Sequence, residues 1–418
     1  MKISATLLVI VAFGLFSGSV YSKTIDVRGC ERSAVQEAII SASDGDTVLV
    51  VGAGDDVCDW RSAIEIDKSI TVKGNGIYDI NDIDEPKPGP DDPEIWKDTG
   101  TWPFTIKLFG NSAFVIATPR GGFIRVSGFK FIGESPPGRA SGAIDVKANE
   151  MSDAFRIDNC FFGMDAWQLS IFSGKGLVDH CYFDGENTGG EIDILIQEGL
   201  NAGDTGRFSN CDWAPTQPIG FGKSDFVFVE NSTFYRDGMI SSSAAATDIT
   251  CGGKAVLRNC NFRNSPISTH GDDTGGIFTR GVYAVESYNN KFYVSVAGGG
   301  GGYHSLRGGS WIAHNNLFFD KSAGYGTKAY NPWIKRLDHR TPEFEGCEDI
   351  DRGCCDDGTY SGDATTGGNN PPGRRCLGQT GTGMSTERFE DMDGFAQEHQ
   401  ISYIWNTTHI PVDDPRVG

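Results

Sequence analysis

The chain has 418 residues, of which 38% are hydrophobic, and its formal net charge is −20 at pH 7. Its 56 glycines show no triplet period and occur beside many aromatic residues, which excludes a collagen, a coiled coil and a disordered tail. This composition indicates many turns around a packed core. Because a negative overall field repels polyanions, nucleic acid and anionic membrane surfaces are not expected as partners.

The first residues predict export. Lys2 precedes an apolar run from Leu7 to Phe16, and small residues continue to Ser22. This is the pattern of a signal peptide, and the run is shorter than the ~20 residues that span a bilayer. We therefore expect residues 1–22 to be a signal peptide on a secreted protein, extracellular or periplasmic, with no membrane span. Export permits disulfides, although 11 cysteines leave at least one thiol unpaired within the chain.

The start of the mature chain has the pattern of a cap. Ser33 and Gln36 have the spacing of a capping box, which predicts the start of a short helix. The helix would bury the apolar residues at helical spacing, namely Val35, Ala38, Ile39 and Ala42. A strand is predicted over Thr47–Val51. Because Cys30 and Cys58 flank this helix and strand, we expect a disulfide between them.

A two-residue signature recurs along the rest of the chain: a polar residue, here called the anchor, is followed three positions later by an aromatic residue. The anchors are Asn159, His180, Asn210, Asn231, Asn259, Asn289 and Asn315, with a degenerate earlier copy at Gly128. They lie 21 to 31 residues apart, and each follows a short β-rich stretch. Such a unit cannot bury its own apolar face, so the units must stack into a solenoid. Independent hairpins in a sandwich would instead give turn signals every ~8–12 residues.

The residue types suggest how the coils are built. Asparagine tolerates the left-handed backbone of a bend, and its amide can bond to the equivalent asparagine in the next coil. The aromatic residue of each step is then expected to point inward. Four cysteines directly follow an anchor, and we interpret them as a stack of small buried side chains rather than as a redox or metal site. They are Cys160, Cys181, Cys211 and Cys260.

These features resemble the right-handed parallel β-helix proteins of the pectate-lyase superfamily. The stretch from Cys30 through Val35-Gln36-Glu37-Ala38 to Cys58 and Thr71-Val72-Lys73 looks like the usual cap and first coils of that fold. The resemblance implies an all-β right-handed parallel β-helix over residues 23–345, with an N-terminal capping helix. Residues 346–418 lose the repeat and gain cysteines, which predicts an irregular extension pinned by disulfides. The same fold also carries glycosidases, esterases, phage spikes and adhesins, so it does not identify the activity.

One stretch resembles the calcium site of those lyases. Leu177-Val178-Asp179-His180-Cys181 is similar to a family segment in which an aspartate before His-Cys binds calcium with two later carboxylates. Asp193 matches the second later carboxylate, whereas Gly189 lies near the place of the first and Glu191 would have to substitute. The resemblance therefore implies a Ca²⁺ site made by Asp179, Glu191 and Asp193.

A second match concerns the substrate. Arg280 resembles a substrate-binding arginine of the lyases, and Lys254 resembles a lysine that grips a substrate carboxylate. The arginine that acts as the catalytic base in the family would lie about five residues before Arg280, where Gly275 stands. The resemblance thus implies substrate binding but supplies no base.

Uronate β-elimination needs a neutralised carboxylate, a base and an acid. Arg280 lies nine residues before Asn289 and Arg307 eight before Asn315, so they are predicted to project from neighbouring coils. Together with Lys254 and two histidines on flanking loops they would form a cationic strip. The predicted catalytic residues are His270, Arg280 and Lys254, and the predicted substrate-binding residues are Arg307, His304, Tyr303, Asp272 and Asp273. In the alternative interpretation, the arginines pair with nearby carboxylates and only hold loops.

The sequence therefore predicts a secreted polysaccharide lyase that cleaves an acidic, uronate-containing polysaccharide such as pectate or alginate. Two other classes stay open. One is a non-catalytic extracellular protein that binds glycans or self-assembles. The other is a hydrolase that uses Asp272 and Asp273. Neither the glycan nor the choice between monomer and assembly follows from the sequence.

Overall fold

Three parallel sheets run through the chain in a computed structural model. The structure describes residues 22–52, 56–78, 98, 100–119, 121–134, 141–147, 154–165, 167–172, 174–185, 194–197, 221–222, 224, 226–236, 245–249, 253–269, 282–294, 304–306, 309–320, 333–334, 382–383, 398–399 and 402–411. The predicted signal peptide lies outside these residues except for Ser22. No helix within the described ranges is long and apolar enough to cross a membrane.

Sheet A has 11 strands. They are Thr24–Arg28, Thr47–Val51, Thr71–Lys73, Phe123–Ser127, Ala154–Asp158, Lys175–Asp179, Val227–Glu230, Lys254–Arg258, Ala284–Tyr288, Ser310–His314 and Tyr403–Trp405. Sheet B has 10 strands. They are Asp56–Trp60, Phe104–Phe109, Lys130–Glu134, Phe161–Met164, Tyr182–Asp184, Thr233–Tyr235, Asn261–Arg263, Lys291–Val294, Leu317–Asp320 and Thr408–Pro411.

Sheet C has nine strands. They are Ile64–Ile66, Phe114–Ile116, Ile144–Lys147, Leu169–Phe172, Ile194–Gln197, Thr247–Ile249, Ile267–Thr269, His304–Leu306 and Trp333–Ile334. A separate antiparallel pair joins Thr382–Gly383 to Glu398–His399. One full coil runs from Ile144–Lys147 in sheet C through Ala154–Asp158 in sheet A to Phe161–Met164 in sheet B. The next coil repeats this path in parallel register, which confirms the predicted right-handed parallel β-helix.

The anchors make the bend between sheet A and sheet B. The described non-glycine anchors have φ between 46° and 57°, and Gly128 has φ 77°. Asparagine adopts this left-handed backbone more readily than most residues do, so the prediction for the bend is confirmed. These anchors are Asn159, His180, Asn231, Asn259, Asn289 and Asn315. Asn210 lies outside the described residues.

The position after each anchor forms a column inside the helix. Cys160, Cys181 and Cys260 are buried there as free thiols, which confirms the predicted stack. Asn290 and Asn316 continue this column, and their side-chain oxygens accept hydrogen bonds from the backbone N–H groups of Cys260 at 2.9 Å and Asn290 at 3.0 Å. This buried amide ladder therefore lies one position beyond the anchors. The predicted amide bond between equivalent anchors occurs at the end of the stack, where Asn406 Nδ2 donates to Asn315 Oδ1 at 2.5 Å. Cys211 lies outside the described residues.

The aromatic residue of each described step points into the core, as predicted, while Trp213 lies outside the described residues. Neighbouring rings in this phenylalanine stack have centroids between 4.6 and 5.5 Å apart. The stack consists of Phe131, Phe162, Phe183, Phe234, Phe262, Phe292 and Phe318, all almost fully buried. Burial of a phenylalanine side chain contributes about 1.5–3 kcal/mol, so this column is a main source of stability.

The N-terminal end is closed by the helix Arg32–Ser41. It buries Val35, Ala38 and Ile39 against the first coils, and the disulfide Cys30–Cys58 ties its start to sheet B, as predicted.

The predicted capping box is wrong. The N-cap residue is Glu31, which makes no side-chain capping bond, and Ser33 already lies inside the helix. Arg32 Nη1 donates to Gln36 Oε1 at 2.6 Å, so Gln36 is bound to the first turn of its own helix. Arg32 also donates to the carbonyl oxygen of Ser62, which anchors the helix start to the neighbouring loop.

A segment that we call the strap lies across the outer face of sheet B; its described parts are Tyr78, Asp98 and 100–102. The Tyr78 hydroxyl donates to Thr233 Oγ1 at 2.8 Å, and the Tyr78 ring meets Tyr182 edge-on with centroids 5.6 Å apart. The Trp102 ring meets Phe161 in the same way at 5.9 Å. The strap therefore touches three successive coils.

The end of the chain differs from the predicted irregular extension. Tyr403–Trp405 pairs in parallel with Ser310–His314, and Thr408–Pro411 pairs with Leu317–Asp320. Asn406, with φ 49°, makes the anchor bend between these two strands. Residues 403–411 thus form a further part of the stack, because they keep the strand–bend–strand pattern. The predicted boundary at residue 345 is otherwise untested, and the cysteines of residues 346–418 lie outside the described residues.

Candidate functional site

The outer face of sheet A carries a continuous column of side chains that we call the outer ladder. Each member directly precedes an anchor, and the strand pairing keeps all members in register from coil to coil. The outer ladder consists of Ser127, Asp158, Asp179, Glu230, Arg258, Tyr288, His314 and Trp405. Because successive strand residues point to opposite faces, the inward neighbours of these residues fill the core while the ladder points out.

The first half of the outer ladder is ionic. Arg125 donates from Nε and Nη2 to the Asp158 carboxylate at 2.7 and 2.6 Å. Arg156 makes the same two-pronged contact with Asp179 at 2.9 and 2.8 Å. Both carboxylates are nearly inaccessible, whereas about a third of each arginine side chain is exposed. Such two-pronged pairs fix side-chain geometry, so the carboxylates of Asp158 and Asp179 hold the two arginine side chains in place.

His180 extends this ionic half at an anchor position. Its Nδ1 lies 2.8 Å from Asp179 Oδ2, and this hydrogen bond raises the pKa of His180. Burial would raise the pKa of Asp179, but the bonds from His180 and Arg156 lower it overall. Asp179 is therefore an ionised carboxylate with both oxygens already bound.

Arg258 joins the two halves of the outer ladder. Its Nε donates to Glu230 Oε1 at 2.8 Å, and its Nη1 donates to the Tyr288 hydroxyl oxygen at 2.9 Å. The guanidinium also lies above the Phe228 ring, 5.4 Å from its centroid. The cation is thus oriented by a carboxylate on one coil and reaches a phenol on the next.

The second half of the outer ladder is aromatic. The Tyr288 and His314 rings are parallel to within 2°, with centroids 4.8 Å apart. His314 in turn stacks on Trp405 with centroids 4.5 Å apart. Trp405 is 48% exposed, so this end of the column presents an aromatic surface to solvent.

Lys254 lies on the same strand as Arg258, but it is covered. Only 4% of the residue is exposed, and its Nζ lies 5.8 Å from the centroid of Phe226 and 5.9 Å from that of Tyr283. Close by, the backbone N–H of Gly222 donates to Glu286 Oε1 at 2.7 Å, so the chain around residue 222 lies over this part of sheet A. The expectation that Lys254 belongs to an exposed cationic strip is therefore wrong.

His304 is also misplaced by the sequence prediction, which put it on a flanking loop. It lies in a strand of sheet C with 3% exposure, and its ring meets Phe292, Trp311 and Phe318 edge-on inside the core. Its Nε2 lies 3.0 Å from Ser287 Oγ, and burial lowers its pKa to about 4. A substrate outside the helix cannot contact this side chain.

The other predicted site residues lie outside the described residues and stay predictions. They are His270, Asp272, Asp273, Arg280, Tyr303, Arg307, Glu191 and Asp193. The described ranges contain no group of three His, Cys, Asp or Glu residues that could hold a metal ion. At Asp179 a calcium ion would have to displace Arg156 and His180, so that side chain as placed does not fit the ion.

The sequence prediction missed Arg258, Tyr288 and His314. The position before each anchor contains the signal that would have found them. Most of the residues at this position are charged or aromatic, and strand alternation places them on the outer face of sheet A.

No protein-family model and no curated protein matches this chain. Among solved structures it resembles the PL6 family alginate lyase AlyGC, with 16% identity and a TM-score of 0.36, over 71% of this chain and 38% of that one. It also resembles an alginate lyase from Paenibacillus sp. str. FPU-7, with 11% identity and a TM-score of 0.30, over 74% of this chain and 80% of that one. This chain thus spans well under half of the AlyGC chain, and likenesses this weak say nothing about activity.

Proposed function

We propose that the protein is a secreted polysaccharide lyase that binds an acidic, uronate-containing polysaccharide along the outer face of sheet A. The observation that carries this proposal is the outer ladder, in which a partly exposed arginine and stacked aromatic rings follow one another on successive coils. Coils repeat every ~4.8 Å, so a linear polymer lying along the stack meets one coil after another.

Arg258 and the aromatic half of the outer ladder suit the carboxylate and the sugar ring of a uronate. A guanidinium such as that of Arg258 binds a planar carboxylate. An exposed aromatic ring such as Trp405 offers a flat apolar surface to a sugar ring, with a polar edge for its hydroxyl groups. Negative charge elsewhere on the protein would repel the polymer and confine it to this face.

Elimination fits the face better than hydrolysis does. A glycosidase of the usual kind needs two carboxyl groups that are available to the substrate. On the described outer ladder, Asp158, Asp179 and Glu230 are each bound to an arginine. Elimination instead needs a cation beside the substrate carboxylate and groups that move protons, and the second half of the ladder supplies these types.

The alternative is a non-catalytic protein that binds the same polymer. One observation favours it, because Arg125, Arg156 and Arg258 are all paired with protein carboxylates. Such pairs can hold the face rigid for binding without taking part in chemistry.

Product formation separates these functions. The purified protein is incubated with polymannuronate, polyguluronate and polygalacturonate, with and without a chelator, and the ultraviolet absorbance of the unsaturated product is recorded. A lyase produces this absorbance, and its loss with the chelator would show that the reaction needs a divalent cation. Retention on an immobilised uronate polymer without product would support binding alone. If the protein forms no product and is not retained on the polymer, both functions are overturned.

A further inference from the structure

His314 occupies an unusual place for a surface histidine. Its ring is sandwiched between Tyr288 and Trp405, with centroids 4.8 and 4.5 Å away. The faces of the ring are therefore covered, and only its edge, which carries both nitrogens, is left to meet a ligand. Among the described residues neither nitrogen has a hydrogen-bond partner. A neutral imidazole held in this way can accept a proton from a bound molecule.

Tyr288 is prepared for the opposite role. Its hydroxyl oxygen accepts a hydrogen bond from Arg258 Nη1 at 2.9 Å, so its own hydrogen is directed elsewhere. No described residue accepts that hydrogen.

Glu230 sets the position of the cation. Its carboxylate binds Arg258 Nε at 2.8 Å and also contacts Nη2, which leaves the remaining hydrogens of Nη1 and Nη2 for Tyr288 and for a ligand. Arg258, Tyr288 and His314 pair in register on three successive strands, so the order cation, phenol, imidazole follows the coil axis. Rigid strands hold all three, which suits a site that requires fixed geometry.

We propose that Tyr288 and His314 are the proton-transfer pair of the elimination, with Arg258 as the residue that binds the uronate carboxylate. This inference rests on the proposed function. It assigns a catalytic site to described residues of sheet A that neither the sequence prediction nor the family resemblance pointed to.

At a uronate in the polymer, the neutral His314 nitrogen takes the proton from C5, and the C–H electron pair forms the C4–C5 double bond. The bond between C4 and the glycosidic oxygen breaks, and that oxygen takes the proton of the Tyr288 hydroxyl. Arg258 offsets the negative charge that builds up on the uronate carboxylate. Proton transfer from His314 to Tyr288 through solvent then restores both groups, and no oxidant or further reactant is needed.

Two substitutions test the pair. Tyr288→Phe removes only the hydroxyl, and His314→Gln removes the imidazole while keeping a polar side chain. Because general acid–base catalysis contributes roughly 10²–10⁴-fold, each is expected to lower kcat at least about 100-fold. KM and retention on the immobilised polymer should change by less than about threefold. His314→Gln should also abolish the limb of the pH–rate profile that reports the base.

The matched control is Tyr182→Phe. Tyr182 lies in sheet B beneath the strap, away from the outer face of sheet A, and its substitution should leave kcat unchanged. Thermal unfolding of all variants checks that they fold, and Tyr288→Phe keeps the test decisive if His314→Gln does not fold.

The outcomes separate the two proposals. If the wild-type protein produces unsaturated product and both variants keep its kcat, the proton-transfer assignment is overturned while the lyase function stands. If the wild-type protein produces no unsaturated product from any uronate polymer, both are overturned together. A selective loss of kcat in both variants, with binding retained, supports the assignment.

Discussion

The phenylalanine stack inside the helix and the outer ladder on sheet A follow the same strand register, yet they differ in how their sequences vary. Inside, seven successive coils place a phenylalanine at the same position. Outside, Ser127 at one end gives way to carboxylates, Arg258, Tyr288, His314 and finally Trp405. The interior repeats because every coil must fill the same space at close-packed density. The outer position lies outside that core, so it does not have to fill the same space and its chemistry can vary along the coil axis.

The largest expected effect comes from breaking the repeated interior. Phe262 stacks between Phe234 and Phe292 with both centroid distances at 4.8 Å. Phe262→Ala should lower the free energy of unfolding by about 3–5 kcal/mol, because it removes buried apolar contacts and leaves a cavity. Denaturant titration measures this loss. Phe123→Ala is the control, since Phe123 is 48% exposed and should cost far less. Equal losses of the free energy of unfolding in the two variants would contradict the difference drawn between interior and exposed positions.

The next effect concerns pH and the buried His304. Its pKa is lowered from 6.5 to about 4 in the folded protein, so the unfolded chain binds more protons between these values. The free energy of unfolding should therefore fall as the pH is lowered from about 6.5 to about 4, by about 3 kcal/mol. In His304→Leu this contribution should disappear. Urea titrations of both proteins across that range measure the difference.

A matched control for that measurement is His180→Asn, which keeps a residue type that the other anchors use. The raised pKa of His180 gives its contribution the opposite sign, because that stability is present at low pH and is lost as the pH rises through the folded pKa. His180→Asn should therefore keep the decrease in the free energy of unfolding at low pH that His304 causes. A variant His304→Leu with an unchanged pH dependence would show that the core histidine is not its source.

A smaller effect is expected from the ionic half of the outer ladder. Arg125→Met leaves the Asp158 carboxylate, which is 0% exposed, without its two-pronged partner, and should cost about 1–3 kcal/mol. Arg258→Met should cost less than about 1 kcal/mol, because its partner Glu230 is 16% exposed and can be hydrated. Thermal unfolding of the two variants compares them directly. The reverse order would mean that burial of the carboxylate does not decide the cost.

The smallest effect on stability should come from the aromatic end. Trp405→Ala should change the free energy of unfolding by less than about 1 kcal/mol, since the ring is half exposed. Its binding effect is expected to be larger. Loss of a stacking surface worth about 1 kcal/mol weakens retention on an immobilised uronate polymer roughly fivefold. Trp311→Ala, in the core, should do the opposite, with a large loss of stability.

The fold followed from the sequence more fully than the site did. Asn159 and the other anchors predict the bend, and the phenylalanine three positions later predicts the inward column, because both positions lie within or beside paired strands. The cationic strip was predicted by counting back eight or nine residues from Asn289 and Asn315. Such a count reaches back beyond the strands Ala284–Tyr288 and Ser310–His314, so the pairing of these strands does not fix it.

The sequence also did not reveal which polar side chains are buried. His304 and Lys254 both have polar side chains, which suggested a surface position for each. Ser287 and a ring of aromatic side chains make the interior acceptable for a neutral histidine, and Phe226 and Tyr283 cover the lysine. These partners come from other coils, so their contacts depend on the three-dimensional stack.

The strap has a consequence for cooperativity. In a stack where each coil contacts only its neighbours, segments can unravel one by one from an end. The hydroxyl of Tyr78 bonds to Thr233, 155 residues away in the chain, across the coils that contain Phe161 and Tyr182. These coils cannot separate without releasing the strap. We therefore expect the amide hydrogens of the strands Phe161–Met164, Tyr182–Asp184 and Thr233–Tyr235 to exchange in one concerted opening.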